Sequence, residues 1–234
     1  MRIVTFQEEG AMREAGSLSG KEGESVPHTR GAVMNWQALF YDLGCRLVGL
    51  GENFRRETLR HAALQDGDHV LDVGCGTGVL TRLAAEAVGP DGSVIGIDPA
   101  PRMIAVARRQ AACAGSRAQF QRGVIERLPF ADASFDVVLA SLMLHHLPPD
   151  LKRDGLREVY RVLKSGGRLV AVDLDRPGRR AWWLVAWPFL MSRFIGDNLR
   201  GRIPHYLREA GFGPAVRAGC RFSLITTWVA RKPL

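Results

Sequence analysis

Nine residues, Val70-Leu71-Asp72-Val73-Gly74-Cys75-Gly76-Thr77-Gly78, constrain this chain more than any other stretch. A short apolar run of strand type enters a turn holding three glycines, and a helical pattern opens at Val79. Glycine lets the backbone take left-handed angles and lets a ligand approach the main chain without a Cβ in the way. The helix N-terminus behind such a turn favours negative groups. Short β-branched runs then alternate with helical patterns. His69–Val73, Ser93–Asp98, Ala118–Arg122, Phe135–Ser141 and Arg168–Leu174 read as strands, with helices from Val79, Pro101 and Asp150 between them. This alternation predicts an α/β fold, a doubly wound, Rossmann-like and mainly parallel sheet covered by helices on both faces. Two last β-rich stretches, Ala215–Ser223 and Leu224–Arg231, have little between them and predict an antiparallel hairpin at one side, making seven strands.

Ahead of this unit, residues 1–30 are rich in Gly, Ser and Glu without a period and read as a disordered leader. Residues 31–65 carry Trp36, Leu39, Phe40, Leu43, Leu47, Leu50 and Phe54 at helical steps, broken near Gly49-Leu50-Gly51, and read as a helical cover. The rest, 66–234, reads as one domain with an apolar and basic insertion at 176–203. No secretory signal opens the chain, and the most apolar run, Ala181 to Met191, is too short to cross a bilayer, which takes about 20 residues. Cys45, Cys75, Cys113 and Cys220 have no CxxC spacing and no His at zinc-ligand distance, so neither a disulfide scaffold nor a metal site is expected, and a reducing cytoplasm fits. Cys113, on the helix from Pro101, is expected to be buried packing.

Spacing narrows what the glycine loop holds. The dinucleotide fingerprint GxGxxG would need Gly where Val79 stands, and no Gly-Lys-Ser/Thr follows as in a P-loop. Asp98, ending Val94-Ile95-Gly96-Ile97-Asp98, is placed to accept hydrogen bonds from both hydroxyls of a ribose.

With these residues in view, the chain resembles the class I S-adenosylmethionine-dependent methyltransferases. Within them it resembles the methyltransferase type 11 branch, which includes ubiquinone/menaquinone-biosynthesis C-methyltransferases and bacterial phospholipid N-methyltransferases. VLDVGCGTG resembles that family's first motif and GIDPAPRMIAVAR its second; ERLPFADASFDVVLASLMLHHL and YRVLKSGGRLVAVDL resemble the block around the fourth strand and the fifth strand. The resemblance runs from Asp66 to about Leu174, with PHYLREAGF similar to the last helix. It implies S-adenosylmethionine as cofactor. Gly74, Gly76 and Gly78 would line its methionine end, with Cys75 completing the loop and Thr77 and Thr81 weaker candidates. Asp72 would orient that end through the loop, and Asp98 would hold the ribose. Val124, Ile125 and Glu126 would edge the adenine, and Ser141 would meet the cofactor where the fourth strand ends. Relatives commonly carry Asp or Asn where Val124 stands, so a side-chain acceptor for the adenine amino group falls to Glu126.

Methyl transfer from a sulfonium is a direct displacement, for which a protein chiefly supplies alignment and desolvation; a base is needed only where the nucleophile carries a proton. His145 and His146, following the fourth strand, are candidate bases, and a role in positioning the loop is the alternative. Tyr41 and Asp42 resemble an element that folds over the cofactor in relatives, where Tyr41 would cover the methyl and Asp42 would hold a substrate amine or proton; membership of a helix face is the alternative.

The acceptor is less constrained. Base-modifying enzymes of nucleic acid place an Asn/Asp-Pro-Pro-aromatic motif where this chain has Ala140-Ser141-Leu142-Met143, so no nucleic-acid partner is expected despite a net charge of +8. Residues 176–208 hold seven Arg against the single acid Asp197. Tryptophans suit a membrane boundary and arginines suit phosphate head groups, so one reading of 176–203 is peripheral contact with lipid and a lipid-like acceptor, such as a phospholipid amine or quinone precursor. A lid or oligomer contact, with a soluble thiol, amine or secondary metabolite as acceptor, is the other. A dinucleotide oxidoreductase and a cofactor-binding protein without turnover are the remaining alternatives.

Overall fold

A computed structural model describes residues 29–33 and 41–234. The expected leader, apart from Thr29 and Arg30, and Trp36, Leu39 and Phe40 lie outside the described residues. Two short helices come first, α1 (Tyr41–Leu47) and α2 (Glu52–Ala62), separated at Gly49 as expected. Then follow β1 (His69–Val73), α3 (Val79–Ala87), β2 (Ser93–Asp98), α4 (Pro101–Cys113), β3 (Gln119–Arg122) and β4 (Phe135–Ser141). After a single tight helical turn, Leu144–His146, come α5 (Pro149–Val162) and β5 (Leu163–Leu174). The insertion folds as α6 (Arg180–Ala186), a tight turn at Trp187–Phe189 and α7 (Gly196–Leu199). It leads into α8 (Ile203–Glu209), β6 (Val216–Arg221) and β7 (Ile225–Arg231).

The seven strands lie in the order β3-β2-β1-β4-β5-β7-β6, parallel except at β7, which runs antiparallel to both β5 and β6. β1 is central and its residues 70–73 are buried, which is why it reads as an unbroken apolar run instead of an alternating one. Alternate side chains feed two cores. Leu71, Val73, Val138 and Ala171 meet Leu156, Val159 and Leu207 of α5 and α8. Val70, Val94, Val137 and Val170 meet Phe54, Ala62, Leu80 and Ala84 of α2 and α3. Proline stands in the first turn of α4 and α5, where its missing N–H has no partner to lose. The strand order reverses between β1 and β4, and a crevice forms at the carboxyl ends of the strands beside that point, the general place for ligands in open α/β sheets.

Two expectations need correction. β5 begins at Leu163, not Arg168, because α5 passes directly into the strand through Lys164–Gly167, with Gly166 at φ +75°. Cys113 is exposed: Met103, Ile104, Ala107 and Ala111 form the buried stripe of α4, and Cys113 falls off it.

Candidate active site

The crevice at the switch point opens to solvent and is lined from four sides. Gly74 and Gly76 wall it from the glycine loop, Ile97, Asp98 and Pro99 from the end of β2, and Val124, Ile125 and Glu126 from the stretch after β3. Leu142, Met143, His146 and Leu147 close the side beyond β4. The segment Thr29–Val33 lies along the mouth: the Ala32 N–H donates to the His146 carbonyl at 2.9 Å, and Arg30 pairs with Asp150.

The three glycines have separate tasks. Gly74 (φ +70°) and Gly76 (φ +55°) both face the cleft. A Cβ on Gly74 would sit 2.7 Å from Met143, whereas one on Gly76 would meet nothing within 4 Å and would enter the open space. Gly78 (φ +75°) does not line the cleft, which corrects its expected place. Its Cα packs against the Phe120 ring, which a Cβ would approach to 2.5 Å. Cys75 and Thr77 also stand off the wall. Burial pushes the Cys75 thiol well up, which disfavours the thiolate that a nucleophile needs. Thr77 Oγ1 donates to Asp42 Oδ1 at 2.6 Å, and Gln110 Nε2 donates to Asp42 Oδ2 at 3.3 Å. Asp42 is therefore a clasp between α1, the loop and α4, and it is not among the residues of the cleft wall. The Tyr41 side chain lies outside the described residues.

Asp72 lies behind the loop and not in the cleft wall. It is fully buried behind the loop, accepts a 2.6 Å bond from Thr81 Oγ1, and burial raises its pKa to about 7. Asp98 is in the wall. Its Oδ2 accepts from the Gly76 N–H (3.1 Å) and its Oδ1 from the Ala100 N–H (2.8 Å). A carboxylate has about four lone-pair sites, so each oxygen can still accept a hydroxyl. Burial raises the Asp98 pKa, opposed by those two backbone donors.

Glu126 faces the cleft with a buried Oε2 that has no partner among the described residues. Val124, almost fully buried, brings no side-chain acceptor; its carbonyl accepts the Arg127 N–H at 3.3 Å. Ser141 is the other correction. Strand alternation turns it away from the cleft, and its Oγ is buried without a partner among the described residues. The wall is made instead by Leu142, a leucine at φ +54°, and Met143. A bulky residue in left-handed backbone at a ligand wall carries strain of a kind that clusters at functional sites. No sequence pattern marks it.

The two histidines differ. The His146 ring lines the cleft, and burial followed by the charge of His145 lowers its pKa to about 4, so it is neutral at pH 7. His145 is tied from behind: its Nδ1 lies 2.7 Å from Asp173 Oδ1, on a carboxylate fully buried near the end of β5. Among the described residues no group of three or more His, Cys, Asp or Glu is placed to hold a metal.

Residues 70–167 match the family described as a methyltransferase domain. The chain is 40% identical over 135 residues to a demethylmenaquinone methyltransferase of Symbiobacterium thermophilum, covering 57% of this chain and 53% of that protein. It is 39% identical over 164 residues to a ubiquinone/menaquinone biosynthesis C-methyltransferase UbiE of Ectopseudomonas mendocina, covering 66% and 63%. The chain thus spans between about half and two thirds of the length of the curated relatives it matches. Among solved structures, a SAM dependent methyltransferase from Aquifex aeolicus superposes with a TM-score of 0.60 at 22% identity, over 83% of this chain and 96% of that one. The fold is that of the S-adenosylmethionine-dependent methyltransferases, and the resemblance drawn from the motifs covers the stretch matched here.

Proposed function

We propose that this chain is a class I S-adenosylmethionine-dependent methyltransferase whose acceptor is a small apolar, lipid-like molecule of the quinol type. The observation that carries the cofactor reading is the chemistry of one wall. Asp98 offers free lone pairs at the end of β2, Gly76 leaves the loop bare of Cβ, and the unpartnered Glu126 Oε2 suits the amino group of an adenine. When bound, S-adenosylmethionine supplies an electrophilic methyl on a sulfonium. The chain's own residues then have defined tasks. Asp98 holds the ribose, Glu126 and the Val124–Ile125 backbone hold the adenine, and Gly74 and Gly76 give the methionine end access to the main chain. Asp72 braces the loop through Thr81, at the head of α3. Leu142, Met143 and Leu147 keep water from the methyl, which strengthens every electrostatic contact there.

The quinol reading rests on the activities for which the two relatives are named and on the outer surface of the insertion. Leu184, Trp187 and Met191 are 81%, 70% and 89% exposed, and Arg179, Arg180, Arg193 and Arg200 of the same segment are exposed too. A crest that exposes both apolar side chains and guanidinium groups fits the interface of an anionic bilayer, and an acceptor with a lipid tail would be reached there. No helix among the described residues is long and apolar enough to cross a membrane, so this contact would be peripheral. The four cysteines are free thiols, which suits a reducing compartment such as the cytoplasm.

The test is release of S-adenosylhomocysteine from S-adenosylmethionine with dithionite-reduced demethylmenaquinone in detergent, beside a soluble thiol and a soluble amine. Turnover confined to the quinol supports the reading. Turnover confined to the thiol or amine moves the acceptor to a soluble class, and none with any acceptor favours a binding protein.

A further inference from the structure

Asp173 is more elaborately held than any other acid in the described molecule. It sits on β5, on the face shared with Leu169 and Ala171, and is fully buried. Its Oδ1 takes His145 Nδ1 at 2.7 Å, the Leu174 N–H at 2.7 Å and Asn198 Nδ2 at 3.2 Å, and its Oδ2 takes the His145 N–H at 3.3 Å. Four donors from the β4–α5 turn, β5 and α7 converge on one carboxylate. Asn198, also fully buried, leaves its Oδ1 without a partner among the described residues, an arrangement a packing role alone does not call for. The His145 Nε2 makes no hydrogen bond among the described residues. The ring lies against His146, centroid to centroid 4.1 Å, and His146 is the cleft wall.

We propose that Asp173, oriented by Asn198, holds His145 as the Nδ1–H tautomer, leaving Nε2 to take the proton that the methyl acceptor loses. This inference rests on the methyl-transfer reading and adds to it a base, its tautomer and two positioning residues. In the step proposed, the acceptor hydroxyl O–H bond breaks and its proton goes to His145 Nε2. The freed electron pair flows through the acceptor's ring to the carbon that bonds the methyl, leaving a ketone at the oxygen; that carbon then loses its C–H proton to water and the oxygen takes a proton back, which restores the aromatic quinol. The methyl–sulfur bond breaks with its pair returning to sulfur, so a neutral thioether and an imidazolium result. The buried Asp173 anion faces that imidazolium, an arrangement in which a carboxylate stabilises the charge that forms without taking the proton itself.

The surroundings of the pair are mixed in charge. From α5, Lys152 Nζ donates to the Phe194 carbonyl at 2.7 Å and acts on Asp173; burial lowers its pKa to about 8. Asp197, next to Asn198, acts on Lys152 in turn. Burial pushes the Asp173 carboxyl up, but His145, by its charge once it holds the proton and by its ring N–H, and the backbone donors hold it below its ordinary value. His146, the other ring, has no such partner and is the poorer base.

Two readouts test this on the full chain. The first needs no acceptor: 15N-edited NMR of the histidine rings, with His145 assigned by His145→Gln. The neutral His145 ring is expected as the Nδ1–H tautomer; an Nε2–H tautomer overturns the proposal. The second is the pH profile of kcat/KM with dithionite-reduced demethylmenaquinone. His145→Gln and Asp173→Asn are expected to lower kcat by about 10²–10³-fold, as loss of a positioned base does. Calorimetric affinity for S-adenosylhomocysteine should stay within about threefold, half a unit on the tenfold-per-1.4-kcal/mol scale. Any residual activity of Asp173→Asn should move its acidic limb to lower pH, since the imidazolium loses its anion. Folded His145→Gln with unchanged kcat, or an unmoved limb in Asp173→Asn, overturns the base. Absence of wild-type turnover on this quinol counts against the acceptor class alone, and the tautomer then decides the pair.

Discussion

At Gly76 the backbone angle and the space beyond it make separate demands. The φ of +55° is strained for any side chain, costing roughly 1–2 kcal/mol per L-residue, while the direction of the absent Cβ is the open cleft. Gly76→Val should therefore fold with reduced stability and lose cofactor binding, because a branched group would stand where the ligand approaches the main chain. Calorimetry showing wild-type affinity in the folded variant would place the ligand elsewhere. His146 makes a pH prediction. Its folded pKa of about 4 lies below its ordinary 6.5, so the fold favours the neutral ring. Its contribution to stability is complete above pH 6.5 and is lost as pH falls towards 4. The denaturation gap between wild type and His146→Gln should narrow over that window; a pH-independent gap contradicts the assignment. The sequence shows Gly74, Gly76 and Asp98 at their places in the wall because loop spacing and strand ends specify them locally. It cannot show that Gly78 faces Phe120 or that Ser141 faces away, since both depend on what the neighbouring elements bring.

Among the elements, the strands are the most legible part. β1, β2 and β4 have the predicted bounds because buried β-branched runs end at turn residues, and the hairpin of β6 and β7 follows from the short link between them. The start of β5 was hidden because Lys164-Ser165-Gly166-Gly167 reads as a turn while it continues the strand. The polar ties of the insertion were hidden more deeply: Asp173 finds Asn198 and Lys152 finds Phe194 across 25 and 42 residues. Local periodicity carries no trace of such pairs. Lys152 is almost wholly buried, and its ammonium holds the insertion to α5 through one carbonyl. Lys152→Met keeps the apolar stem and removes the tie. It should speed tryptic cleavage at the exposed Arg193, Arg200 and Arg202 tenfold or more, as local opening becomes easier by about 1.5–3 kcal/mol for one lost charge-assisted bond. Cleavage at the wild-type rate would mean that packing alone holds the segment.

At the scale of the whole molecule, exposed apolar groups are unevenly placed. Leu184, Trp187, Phe189 and Met191 cluster on the insertion, and Leu47, Val48 and Phe222 are also exposed. The two sets are joined through the chain. A Cβ on Gly49 would lie 3.2 Å from Phe222, and the Gly178 N–H bonds the Ser223 carbonyl at 2.8 Å, so the α1–α2 link, the β6–β7 turn and the start of the insertion are neighbours. Trp183, which the sequence could not distinguish from Trp187, is half-buried, so the outward aromatic is Trp187. Vesicles with anionic lipid should therefore retain the protein at low salt and release part of it at high salt, since exposed charges are screened beyond about 8–10 Å near physiological ionic strength. Trp187→Ala should weaken the salt-resistant part and Arg179→Ala/Arg180→Ala the salt-sensitive part, both with cofactor affinity unchanged. No retention of wild type at low salt would leave the crest as a lid or a protein contact.

The central claim is that the cleft at the β1/β4 switch point binds S-adenosylmethionine through Asp98, and titration calorimetry addresses it directly. Wild type should bind S-adenosylmethionine and S-adenosylhomocysteine and not NAD. In folded Asp98→Ala, loss of a charged acceptor from the ribose hydroxyls should weaken both by about 1.5–3 kcal/mol, roughly ten- to more than a hundred-fold. Equal affinity of Asp98→Ala and wild type, or tight binding of NAD by wild type, would contradict the account.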